Sequence, residues 1–572
     1  MTSNQEIADI LYQIADLMEM QDVAFKPQAY RRAAQTVERW SEEVEDVAKR
    51  GGLEALPGVG KGIALHINEM ILHNGRSIYL ERLKKSLPIK ADELFAVEGL
   101  GPKRAMILYK RLKVTDLTSL EKAARAGKIA ILEHFGEAMQ EKILSGIQFA
   151  RKARGRMLLS QALPIAERII ATIKKAGPVS NIAYAGSLRR KSSTIGDIDI
   201  LVTTKNPKKL MSAFTGMKEA ARTIASGPTK STIELRNGPH ADLRVLEPAQ
   251  WGSALQYFTG SKNHNIALRR IAISKGYKLS EYGLFKGNKN AACKTEEEIY
   301  KKLGMEYIEP ELREDNGEIK AAQEGRLPKL IELSDLRGDL HTHSTWSDGT
   351  ASILEMAQAA ASHGLEYIAL TDHTEKLKIA NGLTPKRFEK QAEELRGLSK
   401  RLGGFQILHG CELNIMEDGT PDMPDSTLKK FNIVVASIHL GLGNDRAKAT
   451  RRLVTAISNP HIDIIGHPTG RLIGKRPGYE IELDAVIDAC KEHGKALEID
   501  SQPDRLDLDF SMVRECVKRG VRVSISSDSH ATDSFRFLEF GACNARRGWC
   551  EKKDVINTLS ADKVREWASK HN

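Results

Sequence analysis

The chain has 572 residues, of which 41% are hydrophobic and 28% charged, enough for about four domains at roughly 150 residues each. No window approaches the run of roughly 18 uncharged apolar residues that a membrane helix needs, and the first twenty residues carry acids without the basic start of a signal peptide. Six cysteines without a C-x-x-C pair exclude a disulfide scaffold or a zinc ribbon and suit a reducing compartment. The net charge of +11 is unevenly spread, because residues 101–300 hold 35 Lys+Arg against 16 Asp+Glu while the rest of the chain is slightly acidic. A basic block of this kind is the footprint expected of a polyanion partner, although a solvated lysine-rich surface would look the same.

Residues 1–155 read as short helices with apolar positions three and four apart, as in Ile7, Leu11, Ile14 and Leu17. Two segments there share one shape, LPGVGKGIALHI (Leu56–Ile67) and VEGLGPKRAMIL (Val97–Leu108). Each is a hydrophobe, a G-h-G turn and a helix opened by a basic residue. Glycine lets the backbone turn tightly, and the helix start points amides at a phosphate. Gly58, Val59, Gly60 and Lys61, with Gly99, Gly101 and Lys103, are therefore expected to grip a DNA backbone without reading bases. A third, degenerate copy is placed at Ile131–Ile147. The expected division is 1–85 for the first hairpin domain and 86–155 for the second.

Residues 156–315 mix helices with β-rich runs. In Asp197-Ile198-Asp199-Ile200 the two-residue strand period puts both carboxylates on one face. Asp242 lies in a similar strand after a turn expected at Asn237–His240. Three acids converging from a sheet suit two hard cations such as Mg²⁺ or Mn²⁺, which assist in-line phosphoryl transfer. Upstream, Gly186, Ser187 and Arg190 offer a close backbone turn, a hydroxyl and a fork of donors for a triphosphate. A solvated edge strand would explain D-x-D alone, but not its company of G-S-x-R-R and D-L-R.

After a polar stretch at 316–335, read as a linker or linking helix, strand-like and helical runs alternate, which argues an α/β barrel or parallel sheet. Eleven of the sixteen histidines fall there. His341, His343, Asp348, His373, Glu412, His439, His467, Asp528 and His530 follow β-like runs, and strand C-termini are where α/β barrels build their sites. Nine ligands exceed one tetrahedral shell and fit two or three ions, Zn²⁺ or Mn²⁺. His363, His409, His461 and His493 lack such a context.

GSLRRKSSTIGDIDI, ADLRVL and YFTGSKNHNIALR (Tyr257–Arg269) together resemble the family X DNA polymerases. That resemblance implies a palm at 156–248 and a thumb at 249–315, with Asp197, Asp199 and Asp242 holding two catalytic metals. It also implies triphosphate contacts from Gly186, Ser187 and Arg190, and sugar contacts from Tyr257 and Phe258. Gly260 and Ser261 would complete the nucleotide site, and Asn265 and Arg269 would meet the nascent base pair. The LPGVG hairpin resembles the DNA-gripping domain of the same family, whose lyase lysine aligns with His66; imidazole cannot form that imine. The C-terminal set resembles the polymerase and histidinol phosphatase (PHP) superfamily of phosphoesterases, a distorted α/β barrel expected over 336–572, with all nine ligand positions filled.

The expected protein is thus a cytoplasmic, nucleoid-associated bacterial enzyme and a monomer. It fills short gaps in nicked or gapped duplex DNA from dNTPs, alongside other repair proteins, and carries a metal-dependent 3′→5′ exonuclease. The alternatives are a DNA-end scaffold, or a barrel acting as a small-molecule phosphatase, abasic-site endonuclease or 3′-phosphodiesterase.

Overall fold

The computed structural model describes residues 4–570 except 39, 41, 74, 98, 154, 237, 293, 399–401 and 442–444. Asn237, where a hairpin turn was expected to begin, and Cys293 lie outside the described residues. The five described cysteines are buried and free, and among the described residues no helix is long and apolar enough to cross a membrane.

The first helix, Asn4–Met20, buries Ile7, Leu11, Ile14 and Leu17, the stripe that its spacing requires, against helix Lys26–Glu38. One apolar cluster continues from Ile7 to Ala150, so both glycine hairpins stand on the same core. The turns are left-handed at Gly58 (φ +78°) and Gly99 (φ +80°). Gly60 and Gly101 then open helices Lys61–Leu72 and Pro102–Leu112 with no side-chain cap, which leaves the first amides for an outside acceptor. Residues 131–147 form a turn and most of helix Gly136–Ala153.

Strands β1 (Met157–Leu158), β2 (Asn181–Tyr184), β3 (Thr194–Ile195), β4 (Asp197–Thr203), β5 (Ala220–Ser226), β6 (Lys230–Leu235) and β7 (His240–Leu246) follow. Strands β1 and β3 form a small antiparallel pair, and the other five form a sheet in the order β2-β4-β7-β6-β5. Ile198, Ile200 and Val202 alternate into a core with Ile169 and Phe214 from the helices behind the sheet. That alternation turns Asp197 and Asp199 to the opposite, open face.

Helices Trp251–Thr259 and Lys262–Ser274 lead to a three-stranded sheet of β8 (Lys278–Ser280), β9 (Gly283–Lys286) and β10 (Lys289–Ala292), then helix Glu296–Lys302. The buried Glu296 carboxylate clamps this region. It accepts from Arg189 Nη2 and Arg313 Nη1, both at 2.6 Å. Burial opposes its charge, but Arg313 and Arg189 hold the carboxyl down at about 2. Its contribution is therefore complete above the unfolded pKa near 4.5 and is lost as the pH falls toward 2. Glu296→Gln strands the fully buried Arg313 charge and is expected to cost about 3–5 kcal/mol; an unchanged chemical denaturation curve at pH 7 would contradict this.

Segment 316–335, expected as a linker, is packed. Its short helix Glu318–Gln323 buries Glu318, which pairs with His264 Nδ1 at 2.7 Å and accepts from the Asn316 amide at 2.7 Å. Ala321, Ala322 and Leu330 join Leu268 and Trp549 in one apolar cluster, and the Ile331 amide donates to the Cys550 carbonyl at 2.9 Å. Sequence polarity suggested a tether because partners such as Trp549 and Cys550 lie more than 200 residues away.

Beyond it, β11 (Gly338–Thr342), β12 (Tyr367–Leu370), β13 (Gln406–Asn414), β14 (Ile433–Ser437), β15 (Ile464–Ile465), β16 (Ala496–Asp500) and β17 (Val523–Ser526) run parallel in sequential order. Helices occupy the crossovers, as parallel neighbours require. A parallel bridge between Thr342 and Ser529, with the His343 amide donating to the Ser529 carbonyl at 2.8 Å, brings the ends together. The result is a nearly closed barrel whose strand C-termini meet at one mouth.

Candidate active sites

Strands β4 and β7 are parallel neighbours, in a register that sets Asp199 directly opposite Asp242 and Asp197 opposite His240. Asp242 accepts from Thr232 Oγ1 at 2.6 Å and pairs with Lys230 Nζ at 2.7 Å, both from β6. Burial, then the charges of Asp242 and Asp197, push the Asp199 carboxyl up to about 6. Burial beside two like charges, which Arg244 and Lys230 only partly offset, suits a divalent cation. Asp197 is exposed at the start of its strand, and the three side chains are less tightly gathered than the barrel ligands described below.

Gly186 has φ +61°, and a Cβ there would stand 2.9 Å from Asp199 Oδ2. No L side chain fits both demands. Gly186→Ala is expected to displace the carboxylate and slow primer extension about 100-fold, and a rate within a factor of three of the parent would refute that. Ser187 follows in the turn Gly186–Arg189.

The nucleotide-side residues are brought to one corner, but several are already engaged. Arg190 donates to the Thr259 carbonyl and, through Nε at 3.1 Å, to Glu314, so its donors face the turn containing Gly260. Tyr257 and Phe258 meet edge to face at 5.2 Å, and the Arg244 guanidinium lies 4.6 Å from the Phe258 ring centre. Ser261 caps helix Lys262–Ser274. Asn265, expected at the base pair, is buried: its Nδ2 donates to the Tyr257 carbonyl at 2.7 Å and its Oδ1 accepts from Gln256 at 2.8 Å. Here it orders the aromatic corner. Arg269 is exposed, with Nε bonded to the Asn265 carbonyl at 3.2 Å.

On the hairpins, Lys61 and Lys103 are exposed, whereas the Val59 side chain is buried and can offer DNA only its backbone. His66 stacks on Tyr79 at 4.3 Å, and burial lowers its pKa. Borohydride reduction on an incised abasic site is accordingly expected to trap no covalent complex, and a strong cross-link would overturn this.

At the barrel mouth all nine predicted ligands converge. Glu412 on β13 is central: its Oε2 lies 2.8 Å from His373 Nδ1 and 3.3 Å from His341 Nε2, and its Oε1 lies 3.2 Å from His439 Nε2 and 3.1 Å from His467 Nε2. Asp528 Oδ1 is 3.1 Å from His343 Nε2, and Asp348 Oδ1 is 3.3 Å from His530 Nε2. Three sets have donors close enough to share an ion: His343, Asp348, His373 and His530; His341, His343 and Asp528; and His373, Glu412 and His439. Burial favours neutral carboxyls, yet His439 and His341 hold Glu412, and His341 and His343 hold Asp528, well below the carboxylate range. Burial, with His530 and His373, pushes His343 down to about 3, which keeps it in the neutral form that binds metals. His343 Nδ1 and His467 Nδ1 are buried without a hydrogen-bond partner, and His341 Nε2 and His373 Nδ1 face the Glu412 carboxylate. Buried ring nitrogens gathered around ionised carboxylates fit divalent metal ions.

Supporting residues escaped sequence reasoning. Glu498 on β16 is fully buried, bonds His341 Nδ1 at 2.8 Å and accepts from the His467 amide at 2.7 Å, fixing two ligands as second partners commonly do. Asn414 Oδ1 does the same for His439 Nδ1 at 2.8 Å. The available signal for Glu498 was an acid, with Asp500, inside the otherwise apolar strand ALEID.

The fold and sites define a nucleotidyltransferase palm and thumb fused to a metal-binding phosphoesterase barrel. Among families, the helix-hairpin-helix domain matches residues 2–76, the DNA polymerase beta thumb residues 254–314 and the PHP domain residues 339–502. The chain is 37% identical to the DNA polymerase/3′-5′ exonuclease PolX of Bacillus subtilis (strain 168), over 99% of this chain and all of that protein. A probable phosphatase of Thermoanaerobacter sp. (strain X514) is 34% identical over 40% of this chain and 93% of its own length. A solved structure of Leishmania infantum polymerase beta, a ternary P/T complex, is 24% identical with TM-score 0.27, covering 39% of this chain and 97% of that one. The chain belongs to the family X DNA polymerases that carry a PHP domain.

Proposed function

We propose that this chain extends DNA 3′ ends at the palm, filling short gaps from dNTPs, and removes 3′-terminal nucleotides at the barrel. The full-length match to PolX of Bacillus subtilis, whose name joins both activities, carries the reading. The geometry supports it: Asp199 faces Asp242 across adjacent strands, and nine ligands meet in the barrel. Divalent cations, Mg²⁺ or Mn²⁺ at the palm and two or three Zn²⁺ or Mn²⁺ ions at the barrel, would supply positive charge against the reacting phosphates. In the palm, Asp197, Asp199 and Asp242 hold that charge beside the primer terminus, and Asp242 is the nearest acceptor for the hydroxyl proton. Gly186 and Ser187 bind the triphosphate with Arg190, which exchanges its Glu314 partner for phosphate. Tyr257 and Phe258 pack under the sugar, and a 2′-hydroxyl would meet them. The paired hairpins, with Lys61 and Lys103, hold the DNA backbone on either side of a gap. In the barrel, Glu498 and Asn414 fix the orientation of His341 and His439.

DNA repair in the bacterial cytoplasm, at the nucleoid and with other repair proteins, is the setting this reading implies, and the chain acts as a monomer. A second reading, a small-molecule phosphatase in the barrel, is favoured by the likeness of that domain to a probable phosphatase. A labelled gapped primer, incubated with and without nucleotides in Mg²⁺ and then Mn²⁺, tests both. Extension with nucleotides and shortening without them is the expected result. Phosphate release from a small ester without shortening would favour the second reading.

A further inference from the structure

Between palm and barrel lies a cleft of about 970 Å³, at the upper end of the roughly 300–1,000 Å³ common for binding pockets. Its palm wall includes Arg156, Ser193 and Thr194, ending three residues before Asp197. Its barrel wall is the loop after β15, beginning at Thr469 and carrying Arg471, Lys475 and Arg476. Thr469 stands two residues beyond the ligand His467. Along the chain, one wall therefore ends close to the palm acids and the other begins close to a barrel histidine.

Five cations line the cleft (those four with Arg446) against two acids, Glu480 and Asp509. Arg156 donates to the Thr194 carbonyl at 2.6 Å and Arg471 to the Arg505 carbonyl at 2.7 Å, bonds that orient the guanidinium groups while preserving their charge. Arg471 also stands 3.4 Å from Asp509. Lys475 and Arg446 are exposed. Phe149, Ile473 and Met512 add apolar surface. Cations interleaved with apolar side chains suit a strand that presents both phosphates and unstacked bases.

We propose that this cleft guides the unpaired 3′-terminal strand of DNA from the palm to the barrel mouth, its phosphates held by Arg156, Arg471, Lys475 and Arg446. The inference rests on the reading that the barrel trims 3′ ends.

The test uses the full chain with the exposed pair reversed, Arg446→Glu with Lys475→Glu, and a milder Arg446→Gln with Lys475→Gln. Three quantities are read in Mn²⁺: shortening of an oligonucleotide with an unpaired 3′ tail, hydrolysis of bis(p-nitrophenyl) phosphate, and the salt dependence of tail binding by fluorescence anisotropy. The reversed variant is expected to lose at least about 10-fold in kcat/KM for the tail, mostly through KM, with hydrolysis of the small diester unchanged. Both variants should lower the slope of log binding constant against log salt by about 1.4, the value for two single-strand phosphate contacts. An unchanged tail rate and slope, or an equal loss on the small diester, overturns the proposal. If the parent cleaves the diester but shortens no DNA, the exonuclease reading fails, and the salt slope alone then decides whether the cleft binds a strand.

Discussion

An Asp199→Asn enzyme is expected to extend a gapped primer in Mg²⁺ at least about 1,000-fold more slowly than the parent, near 4 kcal/mol of barrier, with 3′-end removal in Mn²⁺ unchanged. Asparagine preserves the shape beside Gly186 and removes only the charge, so the loss reports cation binding rather than packing. Asp199 is the sensitive member of the triad because it faces Asp242 in register and is more buried than Asp197. Its folded pKa is raised to about 6, so its ionisation above that pH disfavours the folded metal-free chain. Neutralising it should leave thermal stability in chelator equal or higher. Extension within 10-fold of the parent would remove Asp199 from the catalytic centre.

His343→Ala carries the second large effect. His343 belongs to two of the three ligand sets at the barrel mouth, and its ring stacks against both His530 at 4.1 Å and His373 at 4.4 Å. One truncation therefore opens two ion sites and releases both neighbouring rings. Mn²⁺-dependent 3′-end removal is expected to fall by about 1,000-fold, as when a charge-stabilising group is lost, and bound metal measured by mass spectrometry should drop. Primer extension should stay at the parental rate. Full metal content with full exonuclease rate would show that His343 is not a ligand. Loss of both activities from either single change, in a folded protein, would mean the centres are not independent.

Both centres were visible in the sequence because each rests on short-range periodicity. Alternation in Asp197–Ile200 determines which side chains share a face, and histidines and acids at strand ends point into a barrel mouth wherever the crossovers repeat. The helical stripe of Ile7, Leu11, Ile14 and Leu17 is legible for the same reason. What local spacing cannot carry is partnership across distance. Glu498 serves His341 from 157 residues away, Glu296 serves Arg189 from 107, and neither stands out as more than an acid in an apolar or acidic run. Asn265 is assigned by resemblance and Arg190 by its donor fork to substrate contacts; the bonds of Asn265 to Tyr257 and Gln256 arise within the thumb, and those of Arg190 to Thr259 and Glu314 from the folding of the thumb onto the palm. Segment 316–335 misleads because most of its polar residues do stay exposed, while Glu318 on His264 and the apolar Ala321, Ala322 and Leu330 pin it down.

The packing of that segment has a mechanical outcome. Arg546 reaches Glu311 at 2.9 Å and the Ile331 carbonyl at 3.0 Å, and Arg547 reaches Glu314 at 3.0 Å, so thumb and barrel are riveted through one shared seam. Arg547 also donates to Ser192 Oγ at 2.7 Å and to the Arg190 carbonyl at 3.1 Å, so the same seam ties the barrel to the palm as well. With thumb, palm and barrel sharing one knot of arginines, displacing any one of them must break charged bonds to the other two.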